Sequence, residues 1–210
     1  YFAKPFPTVR VKVDFAGLKD PDNYEAFTCL KSGSGEDLET AIVERDAKGA
    51  VVYGWKREAA PTGPGEEQRL IRSGRLKADE ARFLPADVES GRRIQMHSGS
   101  INWNAHRRKW IQIAVQAGGD SSYLGEVWYS EADSPTGPWR RTRKVVTHDK
   151  YTFYNPKHHP FFDQEGGRFI YFEGTYASTF SRAEFPTPRY DYNQMMYRLD
   201  LEDPRLKLEE

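Results

Sequence analysis

Three of the five histidines stand in polar surroundings that could form a site. His97 lies in Gln95-Met96-His97-Ser98-Gly99-Ser100. His158 and His159 lie in Asn155-Pro156-Lys157-His158-His159-Pro160. Imidazoles grouped in this way could bond a ligand hydroxyl, hold a metal ion or tune a carboxylate. A hydrogen-bonding histidine in a core is the plainer reading. His158 and His159 are adjacent, so on a strand they point to opposite faces and only one can look into a shared site. Two glutamates add acid chemistry. Glu25, in Tyr24-Glu25-Ala26-Phe27, has aromatic neighbours. A carboxyl walled by rings has its pKa raised and can hold a proton for a leaving oxygen. An exposed glutamate at a strand edge is the simpler account of the same residues. Glu173, in Phe172-Glu173-Gly174-Thr175, follows a turn at 164–167 and so belongs to a second strand. It is paired or solvated there unless that strand's end reaches a pocket rim.

Other chemistries are excluded by residue type or spacing. Cys29 is the single cysteine, which removes a disulfide framework and any Cys-rich zinc site. It sits in an apolar stretch with no basic neighbour to lower its pKa, so it reads as an inert buried thiol. The glycine pairs Gly33-Ser34-Gly35 and Gly63-Pro64-Gly65 lack the helix and lysine of a phosphate loop, and Ser98-Gly99-Ser100 is not a nucleophile elbow. Lysines and arginines number 31 against 31 aspartates and glutamates, so no global field draws the chain to nucleic acid or anionic lipid. The local basic groups, such as Arg107-Arg108-Lys109, read as solvated turns. No apolar run approaches the ~20 residues of a membrane-spanning helix. The expected partners therefore include neither nucleic acid nor membrane, and no cofactor is expected, a central metal ion being the one exception weighed.

The elements that must position these residues are short strands. Twelve tyrosines, 12 phenylalanines and five tryptophans need a core or a ligand to cover them. Seventeen glycines and 13 prolines punctuate the chain too often for long helices. Strands are predicted at 41–44, 51–55, 100–103, 110–115, 126–130, 168–172 and 194–199, with a further strand at 140–147. Helical turns are predicted at 66–70 and 76–83. A weak repeat organises these strands. Asp46, Asn104 and Asp163 each follow one strand and open a polar turn into another. Asp or Asn in that place bonds the backbone amides ahead of it. Four antiparallel strands in each 55–60 residues describe a β-propeller blade, and the chain accordingly reads as all-β, with blades at 23–90, 95–150 and 155–205. An open antiparallel sandwich would also show regular short strands.

The segment Ser130-Glu131-Ala132-Asp133-Ser134-Pro135-Thr136-Gly137-Pro138-Trp139 resembles the outer-strand turn of five-bladed β-propeller glycosidases of the arabinanase, xylosidase and fructosidase type. The segments at 154–161, 172–176 and 187–194 are similar to uncharacterised bacterial relatives of those enzymes. The likeness is loose and runs over residues 24–201. It implies a carbohydrate partner, a glycoside hydrolase-like or purely carbohydrate-binding activity, and a secreted or periplasmic location. Five blades need more chain than is present, so the resemblance implies the C-terminal part of a longer protein. The resemblance makes Glu25 the candidate general acid, although Phe27 stands where that motif has proline. His97, Ser98, Asn155, His158, His159, Glu173 and Tyr190 are the candidate substrate-binding residues. Trp103, Tyr154, Tyr176 and Tyr190 are candidate stacking platforms. A second carboxylate for hydrolysis is not identifiable.

Overall fold

The segment Lys109–Gln116 reads Lys-Trp-Ile-Gln-Ile-Ala-Val-Gln and is buried from Ile111 onward. A strand has two faces, so a strand buried on both must lie in a middle layer. The computed structural model describes residues 1–35, 37–178, 181, 183–184 and 191–208, and it places this segment at the centre of three sheets. The first sheet has the order β1 (Phe2–Ala3), β2 (Pro7–Arg10), β3 (Glu25–Thr28) and β4 (Gly54–Lys56). The middle sheet is a meander of β6 (Met96–Asn104), β7 (Lys109–Gln116), β8 (Glu126–Ala132) and β9 (Arg141–Thr147). The short β5 (Ala86–Asp87) lies parallel along β9. The third sheet is β10 (Thr152–His158), β11 (Phe169–Ala177) and β12 (Asn193–Asp200).

The protein is thus predominantly β, as the strand pattern implies, but the sheets are unequal. They hold four, five and three strands among the described residues, in place of four each. The expected strands at 41–44 and 51–55 pair only through the single bridges Leu30↔Val43 and Arg45↔Val51 before β4 begins. The fold explains why the aromatic residues are so numerous. Phe6, Phe27, Phe83, Met96, Trp128 and Trp139 fill the layer between the first and middle sheets. Ile111, Ile113, Val127 and Tyr129 meet Phe153, Ile170, Phe172 and Leu201 between the middle and third sheets. Each such side chain removed from water contributes ~1.5–3 kcal/mol.

Among the described residues helix is confined to α1 (Phe15–Lys19) and α2 (Pro64–Arg72) and a few 3-10 turns. In α2 the sequence supplies its own start: Pro64 takes the first position and Glu66 accepts from the Gly63 amide at 3.0 Å. The helix expected at 76–83 is reduced to a 3-10 turn over Ala78–Glu80. The amides of Arg82 and Phe83 donate to the buried Glu67 carboxylate and not to carbonyls of a preceding turn.

The repeat closes three hairpins, but not with the same chemistry. Asp46 accepts from the amides of Lys48 and Ala50 at 2.8 and 2.9 Å, and Asn104 accepts from Arg107 at 2.8 Å. Asp163 does not cap its turn. There Gln164 pairs with Phe169 across the hairpin, and the Asp163 carboxylate turns back to His158.

Candidate functional site

The edge strands β6 and β10 lie against one another, and polar residues alternate along β6 where they meet. Ser98, Ser100, Asn102 and Asn104 share one face of β6, because their partners on β7 are Val115, Ile113, Ile111 and Lys109 in turn. Three of them are spent on the third sheet. The His158 amide donates to Ser100 Oγ at 2.8 Å, Asn102 Nδ2 lies 3.2 Å from His158 Nδ1, and Asn104 Nδ2 donates to the Gly167 carbonyl at 2.7 Å. Gly99 lets β6 approach β7 this closely, since a Cβ there would overlap the Ile113 carbonyl.

His158 is at the heart of this seam and is fully buried. Asn102 can only donate from Nδ2, so Nδ1 of the imidazole accepts and Nε2–H donates to Asp163 Oδ1 at 2.9 Å. Burial pushes its pKa down, against the pull of Asp163, and the neutral ring is what this network needs. With both ring nitrogens taken, His158 ties two sheets together and is not free for a ligand.

His159 lies directly after the end of β10. Its Nε2 is 3.0 Å from Glu173 Oε1, beside the exposed rings of Phe161 and Phe162. Sequence reasoning placed Glu173 on a second strand, and it stands on β11 as the Cα partner of Lys157. His97 is half-buried, with Nδ1 3.2 Å from Ser98 Oγ, and its pKa is lowered by burial and then by the charge of Lys4. Asn155 is exposed with φ 51°, at a register shift between Tyr154 and Lys157. A second shift lies between Met96 and Ser98, at His97. Both edge strands therefore carry an irregularity of the bulge kind, which re-aims side chains. Tyr190 lies outside the described residues.

Glu25 is in a different setting from the one its neighbours suggest. The guanidinium of Arg10, on β2, donates to it at 2.7 Å and holds its pKa below the usual carboxylate range. That is the opposite of the proton-holding state a general acid needs. Aromatic neighbours in sequence did not wall the carboxyl: Phe27 is buried in the core, while Glu25, at the start of β3, stays half-buried against Arg10. Glu25, His97, His158 and His159 bond to separate partners, and no hydrogen bond joins any two of them among the described residues.

Beside the seam is a cavity of about 210 Å³. Ser100, Asn102 and Trp110 line it from the middle sheet, Lys157 from β10, and Tyr1 and Pro5 from the N-terminal segment. Sequence reasoning missed Ser100, Asn102, Trp110 and Lys157 as site residues. The visible signal was the alternation Ser98-x-Ser100-x-Asn102-x-Asn104 in a strand otherwise expected to be apolar on its covered face. A larger open groove of about 1210 Å³ runs between the N-terminal hairpin and α2. Among the described residues four cationic ones line it: Arg75 donates to the carbonyls of Leu38, Glu39 and Ala41, Arg69 pairs with Glu66, and Lys4 and Arg72 stand beside them. None of the histidines lines it. No known protein family and no curated protein matches this chain.

Proposed function

We propose that the chain is a carbohydrate-binding unit of propeller type, its three sheets serving as three blades of a five-bladed plan, and that it binds sugar without hydrolysing it. The observation that carries the reading is the cavity beside β6 and β10. It combines Trp110 and the β6 main chain from Gly99 to Asn102 with Lys157 of β10, and it lies beside two irregular edge strands. Aromatic faces with a few fixed polar groups are what a sugar ring requires. The propeller plan is supported by three successive sheets in meander order, with both faces of the middle one covered.

Binding is favoured over hydrolysis by the carboxylates. Glycoside cleavage needs two of them flanking the bond, one able to hold a proton. Among the described residues no aspartate or glutamate lines this cavity, and Glu25 is held ionised by Arg10. The test is a fluorescence titration of the tryptophans with arabinose, xylose, fructose, galactose and their uronic acids, alongside a panel of aryl glycosides. The reading predicts a saturable change with at least one sugar, lost in Trp110→Ala, and no enzymatic turnover. Absence of any saturable change would sink it, and robust turnover would return the assignment to an enzyme.

A further inference from the structure

We propose that the ligand of the β6–β10 cavity carries a carboxylate, and is a single acidic sugar ring of the uronic acid kind. This rests on the carbohydrate reading above and adds the charge of the ligand. Among the described residues, Lys157, itself exposed, is the only charged side chain lining the cavity. It has no ion pair and no hydrogen bond among the described residues, whereas other cations nearby are paired: Arg107 with Glu131 at 2.7 Å, Lys109 with Asp133, and Arg168 with Asp200 at 2.9 Å.

The reason for its freedom is local. Glu173 is the Cα partner of Lys157 across β10 and β11 and would be its natural counter-ion. His159 takes that carboxylate instead, at 3.0 Å. The register shift at Asn155 and Pro156 sets Lys157 at the cavity. The ammonium is thereby presented with no protein anion against it.

The rest of the lining defines what surrounds the charge. Ser100 and Asn102 also line the cavity, but their side chains stand on the face of β6 turned to β10 and meet His158 there, so β6 offers the cavity its main chain at Gly99 to Asn102. Trp110 lines the cavity from the other face of the middle sheet. A volume of about 210 Å³ is below that of pockets for drug-sized ligands and suits one ring. A neutral sugar would pack on Trp110 but leave the ammonium without a counter-ion. A carboxylate on the ring completes a charge-assisted hydrogen bond to it.

The test is isothermal titration of the 210-residue chain with galacturonate and glucuronate, against galactose, glucose and acetate, at low salt and in 0.5 M NaCl. The proposal predicts uronates binding about ten- to a hundredfold more tightly than the neutral sugars. Added salt shrinks that advantage. Lys157→Met keeps the aliphatic stem and should abolish the preference while leaving weak neutral-sugar binding, with circular dichroism unchanged. Equal binding of uronate and neutral sugar, insensitive to Lys157→Met, overturns the acidic-ligand proposal and leaves the carbohydrate reading standing. Acetate binding as tightly as a uronate would make the site a bare anion hole and overturn both. No binding of any sugar also removes both.

Discussion

Glu67 offers a sharp test of the physical account, because the core holds it in a costly state. It lies on α2, is completely buried, and accepts from the Tyr53 hydroxyl at 2.8 Å, the Arg82 amide at 2.8 Å and the Phe83 amide at 2.9 Å. Burial raises its pKa from the usual 4.5 to about 7, with those donors and the charge of Arg82 pulling back. The folded chain thus holds the proton more tightly than the unfolded chain. Stability from this group is fully present below pH 4.5 and is lost as pH rises toward 7. At 1.36 kcal/mol per pH unit, the loss between pH 5 and pH 8 comes to about 2.5 kcal/mol. Glu67→Gln removes the titration. It also disturbs three hydrogen bonds, at a cost of about 1–3 kcal/mol that does not vary with pH. The histidines His97, His148 and His158 have pKa values lowered by burial, so their contribution is present above the usual histidine value and lost as pH falls. They occur in both proteins and cancel in the difference. Urea unfolding of both proteins at pH 5, 6, 7 and 8 gives that difference directly. The advantage of wild type over the variant should shrink by about 2.5 kcal/mol from pH 5 to pH 8. A constant difference, or one that grows with pH, would refute the reasoning.

Two further outcomes follow from the seam. Asn104→Ala leaves the buried Gly167 carbonyl and the part-buried Arg107 amide without their partner, and should cost about 1–3 kcal/mol in urea unfolding, whereas an effect under about 0.5 kcal/mol would show that the seam is not closed by this residue. Gly99→Ala forces a Cβ into the β7 backbone and should prevent stable folding, while Gly54→Ala, where nothing lies within 4 Å of the added Cβ, should change stability by less than about 0.5 kcal/mol; equal melting temperatures for the two variants would contradict the close approach of β6 to β7.

The strands of the middle sheet were legible because their patterns are local. Trp110-Ile111-Gln112-Ile113-Ala114-Val115 announces a buried strand, and the polar turn between Asn104 and Lys109 announces its hairpin. The first sheet was not legible, because residues 29–53 pair through isolated bridges and their order depends on packing under α2. Asp163 shows the limit of the repeat. Its type and spacing match Asp46 and Asn104, yet a histidine five residues earlier captures its carboxylate and Gln164 takes its place at the hairpin. Glu25 fails for a similar reason. Arg10 comes from a strand 15 residues away, and nothing near Glu25 in sequence reveals it. The adjacent histidines were expected on opposite faces of one strand, but β10 ends at His158 and His159 lies just beyond it. That one would lock the seam and the other would occupy Glu173, freeing Lys157, depends on contacts between strands that no local pattern encodes.

The central claim is that a sugar sits beside the β6–β10 seam. A crystal structure of the chain soaked in galacturonate tests it most directly. The account predicts one ring in the cavity, its face on Trp110 and its carboxylate on Lys157 Nζ. A ring bound instead in the groove between the N-terminal hairpin and α2, or against the exposed Phe161 and Phe162, with the seam cavity empty, would contradict it.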